Sequence, residues 1–211
     1  MGIGTRISVL PTTNTMLIEK IKKFHIILAS SSPRRQEFFK KLGLGFEVRL
    51  KPVEEIFPEH LKGVDIANFL SKLKAEVFLS ELKSNEILIT SDTVVWHKDK
   101  FLGKPKDEEE AYLMLKTMSG DWHEVITSVC FTRINEQRLV NSSTRVKFKD
   151  LTDDEIWHYI NNYKPFDKAG GYGIQDWIGL VGIEEIKGSY TNVVGLPTHL
   201  VYKTLMDMAS Q

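Results

Sequence analysis

The chain has 211 residues, 42% of them hydrophobic, which suits one sizeable core or one domain with two lobes. Basic and acidic side chains balance at 28 each, so no bulk field draws nucleic acid or an anionic membrane, and any positive charge that matters is local. The lone Cys130 excludes an intrachain disulfide and, in an apolar run, reads as a buried thiol. No apolar run is long enough to span a membrane and the N-terminus lacks a continuous signal-peptide core, so a cytoplasmic protein is expected.

Residues 1–22 mix Pro11, two threonines and Asn14, and read as an N-terminal extension ending in a short helix through Ile18 and Ile21. The domain proper occupies residues 23–211. It opens on His25-Ile26-Ile27-Leu28-Ala29, a predicted strand, followed by a helix with Phe38, Phe39 and Leu42 on its apolar side. Between them lies Ser30-Ser31-Ser32-Pro33-Arg34-Arg35. Ser32 is placed to cap the helix and Pro33 suits its first position. Two arginines in the first turn oppose the helix dipole, at about 0.3–1 kcal/mol each. The hydroxyls of Ser30 and Ser32, free backbone N–H groups and the guanidiniums of Arg34 and Arg35 together suit a multiply charged anion. The stretch is therefore a candidate polyphosphate site; a solvated basic turn is the plain alternative.

Gly43 is placed to stop that helix. Phe46, Val48 and Leu50 alternate as in a strand, and Lys51-Pro52-Val53-Glu54-Glu55 follows as a turn with paired acids. Asp65 is placed to cap a helix running to about Leu82, with Ile66, Phe69, Leu70, Leu73, Val77 and Phe78 as its apolar face. Lys74 falls inside that stripe, so its ammonium must snorkel to water or meet an anion. Residues 87–95 carry the strongest strand signal in the chain, with Asp92 inside it. A carboxylate in an apolar strand is costly unless paired, hydrogen-bonded or bound to a metal. Asp92 is thus the leading candidate for a catalytic or metal-binding acid, the alternative being a strand-end residue that caps a turn.

His97-Lys98-Asp99-Lys100 predicts a hairpin turn, and Lys104 sits between Gly103 and Pro105 in a loop with little backbone freedom. Asp107 caps a helix that buries Ala111, Leu115 and Met118. Residues 122–132 and 138–149 predict two long antiparallel strands, with His123 a strand residue; no second His or Cys stands at zinc-site spacing. Thr152-Asp153-Asp154-Glu155 is a capping box for a helix that Pro165 ends. The run Asp167-Lys168-Ala169-Gly170-Gly171-Tyr172-Gly173-Ile174-Gln175 is glycine-rich without being a Walker loop. Its glycines let backbone N–H groups approach a ligand, Lys168 adds charge, and the Gln175 amide, donor and acceptor at once, suits a base edge. Residues 177–186 read as a strand region, 188–192 as a small-polar loop, and Pro197 as the start of a last helix with Leu200, Val201, Leu205 and Met208 inward. Strands and helices alternate without repeat or linker, which predicts one α/β unit.

Taken together, these stretches resemble the Maf family of nucleoside triphosphate pyrophosphatases. The matching segments are Leu28-Ala29-Ser30-Ser31-Ser32-Pro33-Arg34-Arg35, Ser91-Asp92-Thr93-Val94-Val95, Gly103-Lys104-Pro105, the glycine-rich run 167–175 and Asn192-Val193-Val194-Gly195-Leu196-Pro197. They stand in the family's order from about residue 25 to the C-terminus. The resemblance implies an elongated, ITPase-like α/β fold: a mixed twisted sheet, flanking helices and a cleft between two lobes. It implies hydrolysis between the α- and β-phosphates with a divalent metal, Mg²⁺ or Mn²⁺, and a homodimer. The family's Ser-x-x-Arg pair falls on Ser32 and Arg35, its lysines on Lys74 and Lys104, its acids on Asp92 and Glu55, and its Gln on Gln175. The spacing to Glu55 is one residue short, and Glu54 stands beside it.

On this reading Asp92, Lys104 and Lys74 are catalytic and Asp92 and Glu55 hold the metal. Ser30, Ser32, Arg34, Arg35, Thr93, Lys168 and Gln175 bind the substrate. The Tyr-Gly-Ile-Gln form of the loop looks like the dTTP/UTP branch, with Arg34, Thr93 and Gln175 as the positions for base choice; the 7-methyl-GTP branch carries other residues there. Ser91 stands where a small apolar residue is usual and Asp176 where a glycine is usual. Residues 1–22 have no family counterpart. A nucleotide-binding regulator of cell division is the alternative from another class. A single-stranded nucleic-acid binder is opposed by the neutral charge and the lack of an aromatic-basic stripe.

Overall fold

The computed structural model describes residues 15–210. Its strands are His25–Leu28 (β1), Glu47–Val48 (β2), Glu86–His97 (β3), Lys100–Leu102 (β4), Trp122–Arg133 (β5), Glu136–Phe148 (β6) and Ile183–Lys187 (β7). Its helices are Thr15–Ile21 (α1), Pro33–Lys41 (α2), Val64–Glu76 (α3), Glu108–Met118 (α4), Asp153–Tyr163 (α5), Trp177–Gly182 (α6), Tyr190–Val194 (α7) and Thr198–Ala209 (α8). The sheet runs β2-β1-β3-β5-β6-β7, with β4 also on β3. β1 is parallel to its two neighbours and the other pairs are antiparallel. This is the one α/β unit that the alternating elements predict, with the mixed sheet and flanking helices that the family resemblance implies.

Side-chain alternation along β3 sorts the core. Ile87 and Ile89 face α1, α2 and α8, packing with Phe39, Leu196 and Leu205. Further along the same face, Val95 joins Leu115, Phe148, Ile160 and Ile178 beneath α4, α5 and α6. Leu88 and Val94 point the other way, toward α3, with Phe78 and Cys130 around the first and Ile66, Leu70 and Ile126 around the second. One face thus carries two separate cores, and β3 between them is polar: Ser91, Asp92, Thr93. On that stretch, among the described residues, β3 also lacks a strand on one edge, because β1 pairs only as far as Ile89 and β4 begins at Val95. The two lobes and the cleft between them follow from this gap.

Local signals place many of the boundaries. Thr152 and Glu155 form the reciprocal capping box of α5, and Asp107 accepts a hydrogen bond from the Glu110 backbone N–H at 2.8 Å. Lys98 and Asp99 take φ of 47° and 59°, the left-handed pair of a tight hairpin. Cys130 is a buried thiol whose pKa burial pushes up. α1 inserts Leu17 and Ile21 into the first core and packs on α8, so the end of the segment read as an extension belongs to that core; residues 1–14 of it lie outside the described residues. Among the described residues no helix is long and apolar enough to cross a membrane.

Four expectations change. Gly63, not Asp65, takes the N-cap of α3, with Asp65 in the first turn; the helix stops at Glu76 and resumes as a 3₁₀ turn, Leu79–Glu81. The alternating 46–50 stretch pairs only at Glu47–Val48, and Leu50 is exposed. Residues 177–186 are α6 followed by β7, not one strand. There Ile178 is fully buried and Leu180 is 82% exposed, so packing against the second core outweighs the β-forming composition. Residues 188–192 run into α7, which Ser189 caps by accepting from the Asn192 N–H.

His123 supplies a test of this core. It is buried, with Nε2 2.6 Å from the Tyr172 hydroxyl. Burial first, and then nearby His97, hold its pKa down at about 3 against an ordinary 6.5. The unfolded chain therefore takes up this proton from about pH 6.5 downward while the folded chain does not. Stability unaffected by this group above that pH should fall below it, by about 2 kcal/mol at pH 5. His123→Gln should flatten the acid limb of urea midpoint against pH; an unchanged slope would show that His123 is not held neutral in the fold.

Candidate active site

The start of α2 and the open edge of β3 are fastened together by Arg35. Its Nε donates to the Gly195 carbonyl at 2.9 Å, Nη1 to the Ser91 carbonyl at 3.0 Å and to Ser30 Oγ at 3.4 Å, and Nη2 to Thr93 Oγ1 at 3.0 Å. Thr93 Oγ1 also lies 2.9 Å from Thr127 Oγ1, which donates to the Asn192 carbonyl. The Thr93 hydroxyl thus accepts from Arg35 and donates to Thr127, leaving it no spare proton for a base. Burial draws the Arg35 pKa down, with Asp92 opposing. Ser32 occupies the N-cap position of α2, yet its hydroxyl makes no capping bond and is not spent on the helix.

On the other face of β3, Asp92 is only 7% exposed. Lys74 reaches it from α3, with Nζ 2.6 Å from Asp92 Oδ1 and 3.0 Å from Glu55 Oε1. Of the two outcomes open to Lys74, meeting an anion is the one realised. Burial pushes the Asp92 carboxyl above the usual range; Lys74, then Arg35, pull it back, and Glu55 adds to the rise. Glu55 comes from the loop between β2 and α3. That loop is held by an edge-on Phe57–Phe101 contact at 5.2 Å and by Lys51 Nζ on the Val77 carbonyl at 2.8 Å. Glu55 lines the cleft and its neighbour Glu54 is not among the lining residues.

The far wall is the glycine-rich loop. Gly170 N–H donates to the Gly103 carbonyl at 2.9 Å, which stitches this loop to the one that carries Lys104. Gly170 has φ +69°, and a Cβ there would lie 3.0 Å from Val95, so a side chain is excluded twice over. Asp167 places one oxygen 3.1 Å from Arg34 Nη1 and the other 2.7 Å from Lys168 Nζ. Its carboxylate bridges two cleft cations across the two lobes. Sequence reasoning gave Asp167 no role; an acid beside Lys168 was the available signal, but nothing in the chain order pairs it with Arg34. Lys104 and Gln175 are exposed, and among the described residues neither side chain makes a hydrogen bond.

These parts enclose a cleft of about 620 Å³, within the range of small-molecule sites. Each site residue named from the sequence lines it. Ser30, Ser32, Arg34 and Arg35 stand at the α2 end; Asp92, Thr93, Lys74 and Glu55 at the floor; Lys104, Lys168 and Gln175 on the far lobe. A basic rim over the buried Asp92, with the exposed Glu55 on the same lysine, defines an α/β protein whose cleft suits a polyanion.

The family described as "Maf-like protein" matches residues 25–208, and the chain belongs to that family. Two relatives are the proteins named dTTP/UTP pyrophosphatase from Flavobacterium johnsoniae and Christiangramia forsetii. The first is 60% identical over 193 residues, covering 92% of this chain and 100% of that protein; the second is 61% identical, covering 92% and 98%. Among solved structures, the nucleoside-triphosphatase / dITP/XTP pyrophosphatase of Mycobacterium abscessus aligns with a TM-score of 0.40 at 12% identity, over 89% of this chain and 97% of that one.

A lysine cannot reproduce the fork that Arg35 places on two carbonyls and two hydroxyls. Arg35→Lys should lower the unfolding free energy by about 1–3 kcal/mol. Urea denaturation reads this, and an unchanged midpoint would show that Arg35 does not fasten α2 to β3.

Proposed function

We propose that the chain is a nucleoside triphosphate pyrophosphatase that hydrolyses dTTP and UTP to the nucleoside monophosphate and pyrophosphate. The observation that carries this is the buried Asp92, paired with Lys74 and Glu55, on the floor of a cleft with a guanidinium and ammonium rim. The names of the relatives at about 60% identity support the substrate choice.

Phosphoryl chemistry asks for positioning and charge neutralisation more than for covalent catalysis. Arg34, Lys104 and Lys168 neutralise the triphosphate from the rim, and the Ser32 hydroxyl with the first N–H groups of α2 fixes it at the helix start. Arg35 acts chiefly by holding that start against β3. Water attacks the α-phosphorus, the bond to the bridging oxygen breaks, and pyrophosphate leaves. Asp92, on the floor of the cleft, takes the proton from the attacking water. Lys74 carries positive charge to the reacting centre, and the Gln175 amide faces the base.

The acid pair fits a divalent metal, since both carboxylates already converge on one cationic point, the Lys74 ammonium. Asp92 and Glu55 would hold a Mg²⁺ or Mn²⁺, which supplies Lewis-acid polarisation of the phosphate. Among the described residues no cluster of three or more His, Cys, Asp or Glu groups is suited to a metal, so the two carboxylates would hold it together with the substrate rather than alone. The cytoplasm is the matching compartment, and light scattering measures the homodimer expected from the family.

Pyrophosphate release should be strongest for UTP and dTTP in a panel with CTP, ATP, GTP, 7-methyl-GTP and modified pyrimidines, and should vanish with chelator. Release strongest for 7-methyl-GTP would overturn the substrate choice, and none from any nucleotide would leave a binding protein. Asp92→Asn should cost about 10²-fold or more in kcat while unfolding normally. Lys104→Ala should lower kcat/KM by about 10-fold or more, and an unchanged value would remove Lys104 from the site.

A further inference from the structure

Gln175 rides on a tight turn. The Asp176 N–H donates to the Gly173 carbonyl at 3.0 Å, closing residues 173–176 with Gln175 at the third position. Both ends of that turn are held by one atom. The Tyr159 hydroxyl accepts from the Gly173 N–H at 3.0 Å and donates to Asp176 Oδ2 at 2.8 Å. Tyr159 lies on α5, fully buried, stacked on Tyr163 at 5.2 Å, and is not among the residues that line the cleft. Asp176 stands at the N-cap of α6, where a carboxylate ordinarily takes a backbone N–H, but its side chain makes no capping bond. It is turned to the phenol instead, with Lys168 Nζ 3.7 Å away.

The rest of the turn leaves Gln175 one direction. Ile174 is a buried plug in the second core, and Gln175 is exposed to the cleft. Its Nε2 lies so close over Gly173 that a Cβ there would stand 2.8 Å from it. Placement matters for chemistry. A primary amide pairs with the N3–H and O4 edge of uracil or thymine in one orientation and, turned over, with the N3 and N4–H edge of cytosine. The turn sets where the amide meets the base edge; carried out of register, the amide loses the two-point pairing and with it the preference that the pairing supplies.

We infer that Tyr159, with Asp176 as its acceptor, is a positioning residue for base recognition: it fixes the turn that presents Gln175. The inference rests on the nucleotide reading above. It places a specificity determinant in the wall behind the cleft.

The test compares kcat and KM for UTP and CTP in the wild type, Tyr159→Phe, Asp176→Ala, Asp176→Asn and Tyr112→Phe. The last removes a tyrosine–aspartate bond of the same kind, Tyr112 to Asp153 at 2.9 Å, which joins α4 to α5 without touching the loop. Tyr159→Phe and Asp176→Ala should lower the UTP-over-CTP ratio of kcat/KM by about 3- to 10-fold, mainly through KM. Asp176→Asn keeps an acceptor for the phenol and should preserve the ratio, as should Tyr112→Phe. If Tyr159→Phe does not fold, Asp176→Ala carries the same comparison. A folded Tyr159→Phe with an unchanged ratio overturns the inference while leaving the proposed function intact, and so does an equal fall in Tyr112→Phe. A wild type that hydrolyses neither UTP nor dTTP overturns the proposed function and this inference with it.

Discussion

The Asp92 carboxylate, nearly buried on β3 and 2.6 Å from the Lys74 ammonium, is the constraint on which the site turns. A buried carboxylate without a partner costs several kcal/mol. The lysine must therefore stand inside the apolar stripe of α3, and α3 must cover this face of the sheet. The position along β3 matters as much as the pairing. β1 stops pairing at Ile89 and β4 starts at Val95, so Asp92 and Thr93 sit where, among the described residues, the strand has no neighbour on one edge. Adjacent strand residues point to opposite faces. At a gap in the sheet both reach the same cleft, Asp92 toward α3 and Thr93 toward Arg35.

The cleft balances its own charge. Lys74 is held by two acids, Arg34 and Lys168 share Asp167, and Arg35 spends its donors on carbonyls and hydroxyls. This local pairing agrees with a chain whose net charge is zero. On the proposed reading a triphosphate enters by exchanging partners: its oxygens replace the Asp167 carboxylate for Arg34 and Lys168. The division of labour between the arginines follows from the same geometry. Among the described residues Arg34 has a single, half-exposed ionic partner and is able to change it. Arg35 is woven into three segments and is not.

Legibility tracked the range of the interaction. Caps and turns were readable because their partners lie within four residues: Thr152 with Glu155, Asp107 with the Glu110 N–H, Lys98-Asp99 in the hairpin. Lys74 was readable as an anomaly, a charge in an apolar stripe, but not its partner. Residues 177–186 misled because apolar composition alone does not separate a buried strand from a short helix on a core. Tyr159 was invisible, being one more large residue on the inward face of an amphipathic helix; its hydroxyl acquires meaning only from Gly173 and Asp176.

The sequence by itself determined the alternation of strands and helices, the polar break in β3 at Ser91-Asp92-Thr93, and the residue types of the cleft, because side-chain period and local hydrogen bonding are properties of neighbours along the chain. The tertiary structure alone decided that β1 and β4 leave that break open at one edge. It also decided that Glu55 and not Glu54 meets Lys74, and that Asp167 bridges Arg34 and Lys168. The β1–β3 pairing and the Glu55–Lys74 and Asp167–Arg34 contacts join segments far apart in the chain, and a contact of that range is set by how helices and sheet pack, which no local pattern encodes.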